Sequence, residues 1–332
     1  MVAALISCKL EEHKEVYEAP RVVLCGGFSI DVVAKPKEFI QDNSNIGNIE
    51  VILGGCVRNV LECLWRLGIK DCLALTSIGS DIFGRLLKEW MEEHELTLEG
   101  VYTSDKDRTA IHVCIMTEGL ATGVADMNIF ANIPISHLKK FTKNIETAKV
   151  LIIDSNHSIE NLEWLCEIGK NTFIAFDPIS NEKSKKLLEK DLIGRISLLK
   201  GNIKQFQAIA NCISASTSTI NATAEDLIEL IFKHAKAIKD CKLKYVIVTR
   251  ENEVVCGYLE ETMKIIKKVA EKVGNDKIVK TGGAGDAFMG GFIYGLLQGH
   301  EIEKNIEIGM KCASLSIISK FNINPELSLA SI

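Results

Sequence analysis

At 332 residues, with 47% hydrophobic and 25% charged residues, the chain has the composition of a soluble globular enzyme and the length of one large α/β domain. Its net charge of −5 excludes a protein built to coat nucleic acid or an anionic membrane, so an anionic ligand would need a local positive site. Eleven cysteines stand singly from Cys8 to Cys312 with no C-x-x-C pair, the pattern of reduced thiols in a cytoplasmic protein; with neither Cys nor His at ligand spacing, it argues against zinc.

Residues 1–20 carry Glu11, Glu12, Glu15 and Glu18 and no continuous apolar segment, so they fit neither a secretory signal nor a transit peptide. They read as an N-terminal extension, with one folded domain over 21–332. No apolar run is long enough to cross a bilayer. Val22–Cys25 is the first β-rich apolar run. Asp31–Leu53 is a polar-interrupted β stretch with a turn at Asn43–Gly47 and no helix of its own. Val57, Val60, Leu61 and Leu64 follow helical spacing, with Gly68 placed to end that helix. Phe83, Leu86, Leu87 and Trp90 repeat the spacing after Ser80. Arg108–Met127 is a second β stretch, turning at Thr117–Gly119.

Further apolar runs follow at Val150–Ile153, Thr172–Phe176, Ile196–Leu199 and Tyr245–Val248. Ser214–Thr223 reads as a surface loop before a helix. That helix opens with Thr223 and Asp226 in capping-box positions and continues through Leu227, Leu230, Ile231 and Ile238. Short runs that are apolar throughout belong to strands covered on both faces. The alternation therefore predicts an α/β fold, a doubly wound, mainly parallel sheet with helices on both faces. The two segments that break it, about 32–53 and 108–127, predict a small β-flap lid. Ligands of such sheets bind at the carboxyl ends of the strands.

The most informative run is Thr281-Gly282-Gly283-Ala284-Gly285-Asp286, which opens a helix running through Phe292 and Leu296. Unpaired N–H groups and the dipole at a helix start attract an anion, and glycines let it approach. Asp286 beside that anion hole could take the proton of an attacking hydroxyl while the amides stabilise the phosphoryl group. A plain Gly-rich cap with Asp as an ordinary first-turn residue is the blander reading, and the turn alone leaves both open.

Gly283-Ala284-Gly285-Asp286, preceded by Thr281, resembles the C-terminal signature D-T-x-G-A-G-D of the PfkB, or ribokinase-like, carbohydrate and nucleoside kinases. The remaining motifs of that family agree in order. Gly26-Gly27-Phe28-Ser29-Ile30-Asp31 resembles its first strand, Gly54-Gly55-Cys56-Val57-Arg58-Asn59 its G-G-x-x-x-N, and Ile78 to Gly84 its V-G-x-D-x-x-G. The resemblance, over about 21–327, implies an ATP- and Mg²⁺-dependent kinase with Asp286 as base and Gly283, Ala284 and Gly285 as anion hole. It implies a substrate site of Asp31, Gly54, Gly55 and Asn59, with Asp31 and Asn59 on ribose hydroxyls. It also implies a nucleotide site of Asn202, Thr249, Thr281, Gly283 and Gly285, with room for a monovalent cation.

Three stretches look like the pseudouridine kinases of the family: Asn45 to Ile49, Ala125-Asp126-Met127-Asn128-Ile129, and Asn322 to Ser328. Asp126 and Asn128 could hydrogen-bond a uracil edge or simply form a turn. An exposed flap could pair between subunits, giving a homodimer through the lid.

Three departures stand out. The family's N-x-x-E is Asn202-Ile203-Lys204-Gln205, so Gln205 touches magnesium only indirectly. The first Asp of the signature is Lys280, expected to neutralise nucleotide phosphate. The nucleotide turn G-x-x-G is Glu251-Asn252-Glu253-Val254. Two readings follow, an active kinase and a nucleoside- or sugar-binding protein on the same scaffold with weakened catalysis.

Overall fold

The computed structural model describes residues 20–117, 120–214 and 221–332. The N-terminal extension, the tip of the 117–119 turn and most of the 214–223 loop lie outside them. Thirteen strands follow in chain order. They are β1 (Val22–Cys25), β2 (Ser29–Pro36), β3 (Gly47–Gly54), β4 (Cys72–Gly79), β5 (Val101–Ser104), β6 (Ile111–Thr117) and β7 (Leu120–Asp126). Then come β8 (Val150–Asp154), β9 (Phe173–Asp177), β10 (Leu198–Asn202), β11 (Tyr245–Arg250), β12 (Glu253–Leu259) and β13 (Met263–Val269).

Nine of them form one sheet in the order β13-β12-β11-β10-β9-β8-β1-β4-β5. All pairs from β11 through to β5 are parallel, and β12 and β13 add antiparallel at one edge. Side chains of β1 alternate between two cores. Val23 and Cys25 pack with the helices Ile159–Ile168, Ile203–Ile213 and Ala224–Lys236, whereas Val22 and Leu24 pack with Cys56–Arg66, Ile82–Glu93, Ala284–Leu297 and Ile302–Ile317. The sheet is thus doubly wound, and strands buried on both faces read as continuous apolar runs. The chain departs in both directions from β1, flanked by β4 and β8, so the crevice opens where β1, β8 and β9 end.

The remaining strands form a second sheet, β3-β2-β6-β7, into which both flap segments pair. Its register puts Val32 between Val51 and Val113, and Val113 beside Val124; Asp31 lies one residue away and therefore on the opposite face. The sheet is anchored at Asp81, whose carboxylate caps the helix Ile82–Glu93 through Gly84 N and also accepts from Thr109 N and Oγ1.

Thr223 and Asp226 make the expected capping box, although Ile238 falls beyond that helix, which ends at Lys236. Four strands went unread in the sequence: β4, β5 and the antiparallel pair β12–β13. Among the described residues, no helix is long and apolar enough to cross a membrane.

Candidate active site

The Gly-rich turn ends at Gly283, whose φ of 84° places it in the left-handed region as the residue before the helix Ala284–Leu297. A Cβ there would stand 2.2 Å from Asn322 O, so the turn is pressed against the C-terminal segment. Gly55, with φ of 98°, plays the same part before the helix Cys56–Arg66, where a Cβ would meet Gly27 O at 2.2 Å. Two glycine-gated helix starts thus face one crevice.

From the second of these helices Asn59 reaches across to Asp286, donating Nδ2 to Oδ2 at 2.6 Å. The orientation of that amide is fixed from behind. Arg58, 2% exposed, donates to Asn59 Oδ1, to Glu62 Oε2 at 2.6 Å and to Gly54 O, and its guanidinium lies over Trp90. Burial opposes the Glu62 charge, but Arg58 and Arg66 hold its carboxyl below the usual range. Asn59 was expected to face sugar hydroxyls; in the structure both ends of its amide are occupied by protein.

Below the Gly-rich turn lies Lys200, which sequence reasoning missed. It leaves β10 with only 5% exposure, and its ammonium sits 2.9 Å from where a Cβ on Gly285 would be. Its partner is Asp177 at the end of β9, at 2.9 Å. Burial opposes this charge, yet Asp177 and Asp286 together hold Lys200 well above the ordinary lysine range. Asp177 is also braced by Ile179 N at 2.8 Å, and Ile179 has a left-handed φ of 61°, a strained conformation for a β-branched residue. Burial pushes the Asp286 carboxyl up to about 6; Lys200 pulls it down, Asp177 pushes it up, and Asn59 pulls it down.

A second polar cluster is built around Asp31. Asn322 Nδ2 donates to Asp31 Oδ2 at 2.9 Å and to Leu53 O, and Lys280 donates to Asn322 Oδ1. His112 Nδ1 of β6 is 3.9 Å from Asp31 Oδ1. Gly54 is pressed against the same carboxylate, since a Cβ there would lie 2.4 Å from it. Lys280 therefore does not face nucleotide phosphate as its place in the signature suggested; its ammonium is directed to the partner of Asp31. Asp126 closes β7 and Asn128 begins the helix Asn128–Ala131, both exposed, above the buried Phe130 whose ring approaches Gly27.

On the other side of the turn is a cleft of about 660 Å³. Asn202, Thr249, Thr281, Ala284 and Gly285 all line it, together with Glu251 and Asn252 of the unusual turn. Glu251 takes the left-handed φ of 48° without being glycine. Gln205 does not line the cleft. It is buried, and its Oε1 accepts from Asn202 N at 2.8 Å while Asn202 Oδ1 accepts from Gln205 N, a complete capping box. The Asp31 cluster, the Asp286 carboxylate, a buried ammonium and a cleft of about 660 Å³ thus meet at one helix start.

Comparison with known proteins supports the same frame. The chain is 25% identical to the pseudouridine kinase of Escherichia coli, covering 95% of this chain and 96% of that one. It is 24% identical to the pseudouridine kinase of Arabidopsis thaliana, covering 92% and 93%. Among solved structures it superposes on the ribokinase of Thermotoga maritima with a TM-score of 0.72, at 21% identity, over 91% and 95% of the two chains. The match to the family described as pfkB family carbohydrate kinase runs over residues 19–327. With nearly the whole chain inside that match, this protein belongs to the pfkB carbohydrate kinase family, and it is a phosphotransferase that acts on a hydroxyl group.

Proposed function

We propose that the protein phosphorylates pseudouridine to pseudouridine 5′-phosphate with ATP as donor, using Asp286 as general base. The observation that carries the chemistry is the position of Asp286. It stands at a glycine-gated helix start, next to an ammonium and between the Asp31 cluster and the cleft lined by Asn202 and Thr249. A carboxyl held at about 6 is mostly ionised at neutral pH and still basic enough to take a hydroxyl proton. Asn59 fixes the aim of this carboxylate toward an incoming hydroxyl. The N–H groups of Ala284 and Gly285 and the Lys200 ammonium would stabilise charge on the phosphoryl group, and Asp177 holds Lys200 in place.

On the acceptor side, Asp31 would bind ribose hydroxyls, oriented by Asn322. Asp126 and Asn128, at the rim above Gly27, would meet the edge of the base. Support for pseudouridine comes from the two full-length relatives and from the Asp-Met-Asn element. Magnesium, which the fold family implies, takes oxygen ligands and would neutralise nucleotide phosphates. Asn202 and Gln205 spend their amide oxygens on each other, so they fit outer contacts to hydrated magnesium rather than direct ligation. The exposed turn at Glu251 favours a second reading, weakened nucleotide use in a binding protein.

An ADP-release assay with Mg²⁺-ATP over pseudouridine, uridine, adenosine, ribose and fructose separates these readings. Pseudouridine should give the highest kcat/KM. A higher value for ribose or adenosine overturns the substrate assignment, and binding without turnover supports the second reading.

We also propose that the lid sheet joins two copies. Ile49, Val51, Val113 and Val124 are 71, 57, 41 and 78% exposed on the face away from Asp31, an apolar surface that a second copy can match with its own. Sedimentation of the wild type against Val51→Lys should show a dimer and a monomer. Identical values for the two would remove this interface.

A further inference from the structure

One group beside Asp286 is not used in the phosphoryl-transfer reading above. Cys56 is the first residue of its helix, one position after Gly55. Its Sγ and single carboxylate oxygens of Asp177 and Asp286 all lie within 4.8 Å of one another. We propose that these three side chains form an inhibitory site for a thiophilic divalent cation, Zn²⁺ being the common one.

Donor atoms within 4.8 Å of one another can close on a tetrahedral ion with bonds of ~2.0–2.3 Å through small side-chain shifts, with a fourth position open to water. The carboxylates are already oriented. Asn59 holds Asp286, while Lys200 and Ile179 N hold Asp177, and such bonded partners set the aim of metal ligands. Charge also balances. Two carboxylates, a thiolate and the Lys200 ammonium sum to two negative charges, which a divalent cation cancels in a buried place where net charge is costly. A thiolate ligand selects zinc or cadmium over magnesium, which prefers oxygen. Ligands this far apart in sequence leave no spacing motif, which is why the sequence argued against zinc.

Binding breaks the Cys56 S–H bond, forms an S–metal bond and releases the proton to solvent, with no change of oxidation state. A thiol must shed its proton to become a ligand, so affinity should rise with pH. Once coordinated, Asp286 can no longer accept a hydroxyl proton. The inhibition rests on the kinase reading; the binding does not.

The test uses the full chain. Zn²⁺ binding is measured against a chromophoric chelator, and Cd²⁺ binding by the thiolate-to-cadmium absorption in the ultraviolet. Wild type is compared with Cys56→Ser, Asp177→Asn and, as a control, Cys212→Ser, which removes an exposed thiol. One equivalent should bind to wild type and Cys212→Ser, tighter as pH rises, and ~10–100-fold more weakly to Cys56→Ser and Asp177→Asn. Thermal melting of Cys56→Ser verifies that the variant is folded. Equal affinity and absorption in wild type and Cys56→Ser would overturn the site. Zinc bound through Cys56 with ADP release unaffected would overturn the inhibition, whereas inhibition that excess Mg²⁺ fails to relieve and Cys56→Ser weakens supports it.

Discussion

Asn59 donates to Asp286 at 2.6 Å only because Arg58 claims the other end of its amide. The acidic partner of one helix start is thus held by the first turn of another. If Asp286 is the base, Asp286→Asn should leave acceptor binding nearly unchanged and lower kcat by ~10²–10⁴. Near-normal turnover would remove Asp286 from that role. Arg58→Met should lower kcat as well, because the freed amide can turn its oxygen toward the carboxylate.

The raised Asp286 carboxyl has a signature in pH. With its value at about 6, kcat should fall on the acid side of roughly that pH. Lys200→Met removes the nearest cation, so the residual activity should lose its acid limb at a pH about one unit higher. An acid limb that stays in place would detach Lys200 from the base.

The same shift predicts a stability difference of defined sign. Asp286 binds its proton more tightly folded than unfolded, so the stability it contributes is complete below the ordinary carboxyl value. That contribution is lost as pH rises through about 6. Asp286→Asn lacks this loss. Its melting temperature relative to wild type should therefore be higher at pH 7 than at pH 4. A difference that does not change with pH would show that Asp286 titrates normally.

Gly54 packs directly on the Asp31 carboxylate. Gly54→Ala should displace that side chain and raise KM for each accepted sugar or nucleoside, while kcat falls less. Asp31→Ala should weaken them all more strongly, since buried partners are left unpaired. A Gly54→Ala enzyme with unchanged KM would place the acceptor elsewhere.

The altered N-x-x-E position offers a clean charge test, because glutamate is itself a normal third residue of a capping box. Gln205→Glu keeps the fold of the turn and adds one negative charge. It should lower the Mg²⁺ concentration for half-maximal turnover, by up to ~10-fold or more if the carboxylate orders metal water. Lys280→Asp should instead change acceptor KM, since Lys280 bonds the partner of Asp31. An unchanged magnesium midpoint in Gln205→Glu would make that substitution silent.

What the sequence revealed and what it hid have physical causes. β1 and β11 were legible because both faces of each are apolar and buried. β4 is equally buried, but Thr76 and Ser77 interrupt its run, and Thr76 repairs the interruption by donating to Gly26 O. β13 sets Ile265 beside Ile266 and Lys267 beside Lys268 at an exposed edge, so no period-2 alternation marks it as a strand. Asp286 announced itself through glycines. Lys200 did not, although a lysine closing an apolar strand run, with Leu198 and Leu199 before it, is a signal worth reading. Asp177 had the weaker signal of standing at a strand's carboxyl end. The link between Lys280 and Asp31 passes through Asn322, and no local pattern can encode it.

The bond between Asp31 and Asn322 spans 291 positions of sequence. Closing so long a loop is entropically costly and late, and the same residue backs Gly283 at the phosphate turn. The pocket and the turn are therefore finished by one event, the docking of the C-terminal segment. If Asp31 holds the acceptor, any ligand that grips it also fastens the two distant parts of the chain together.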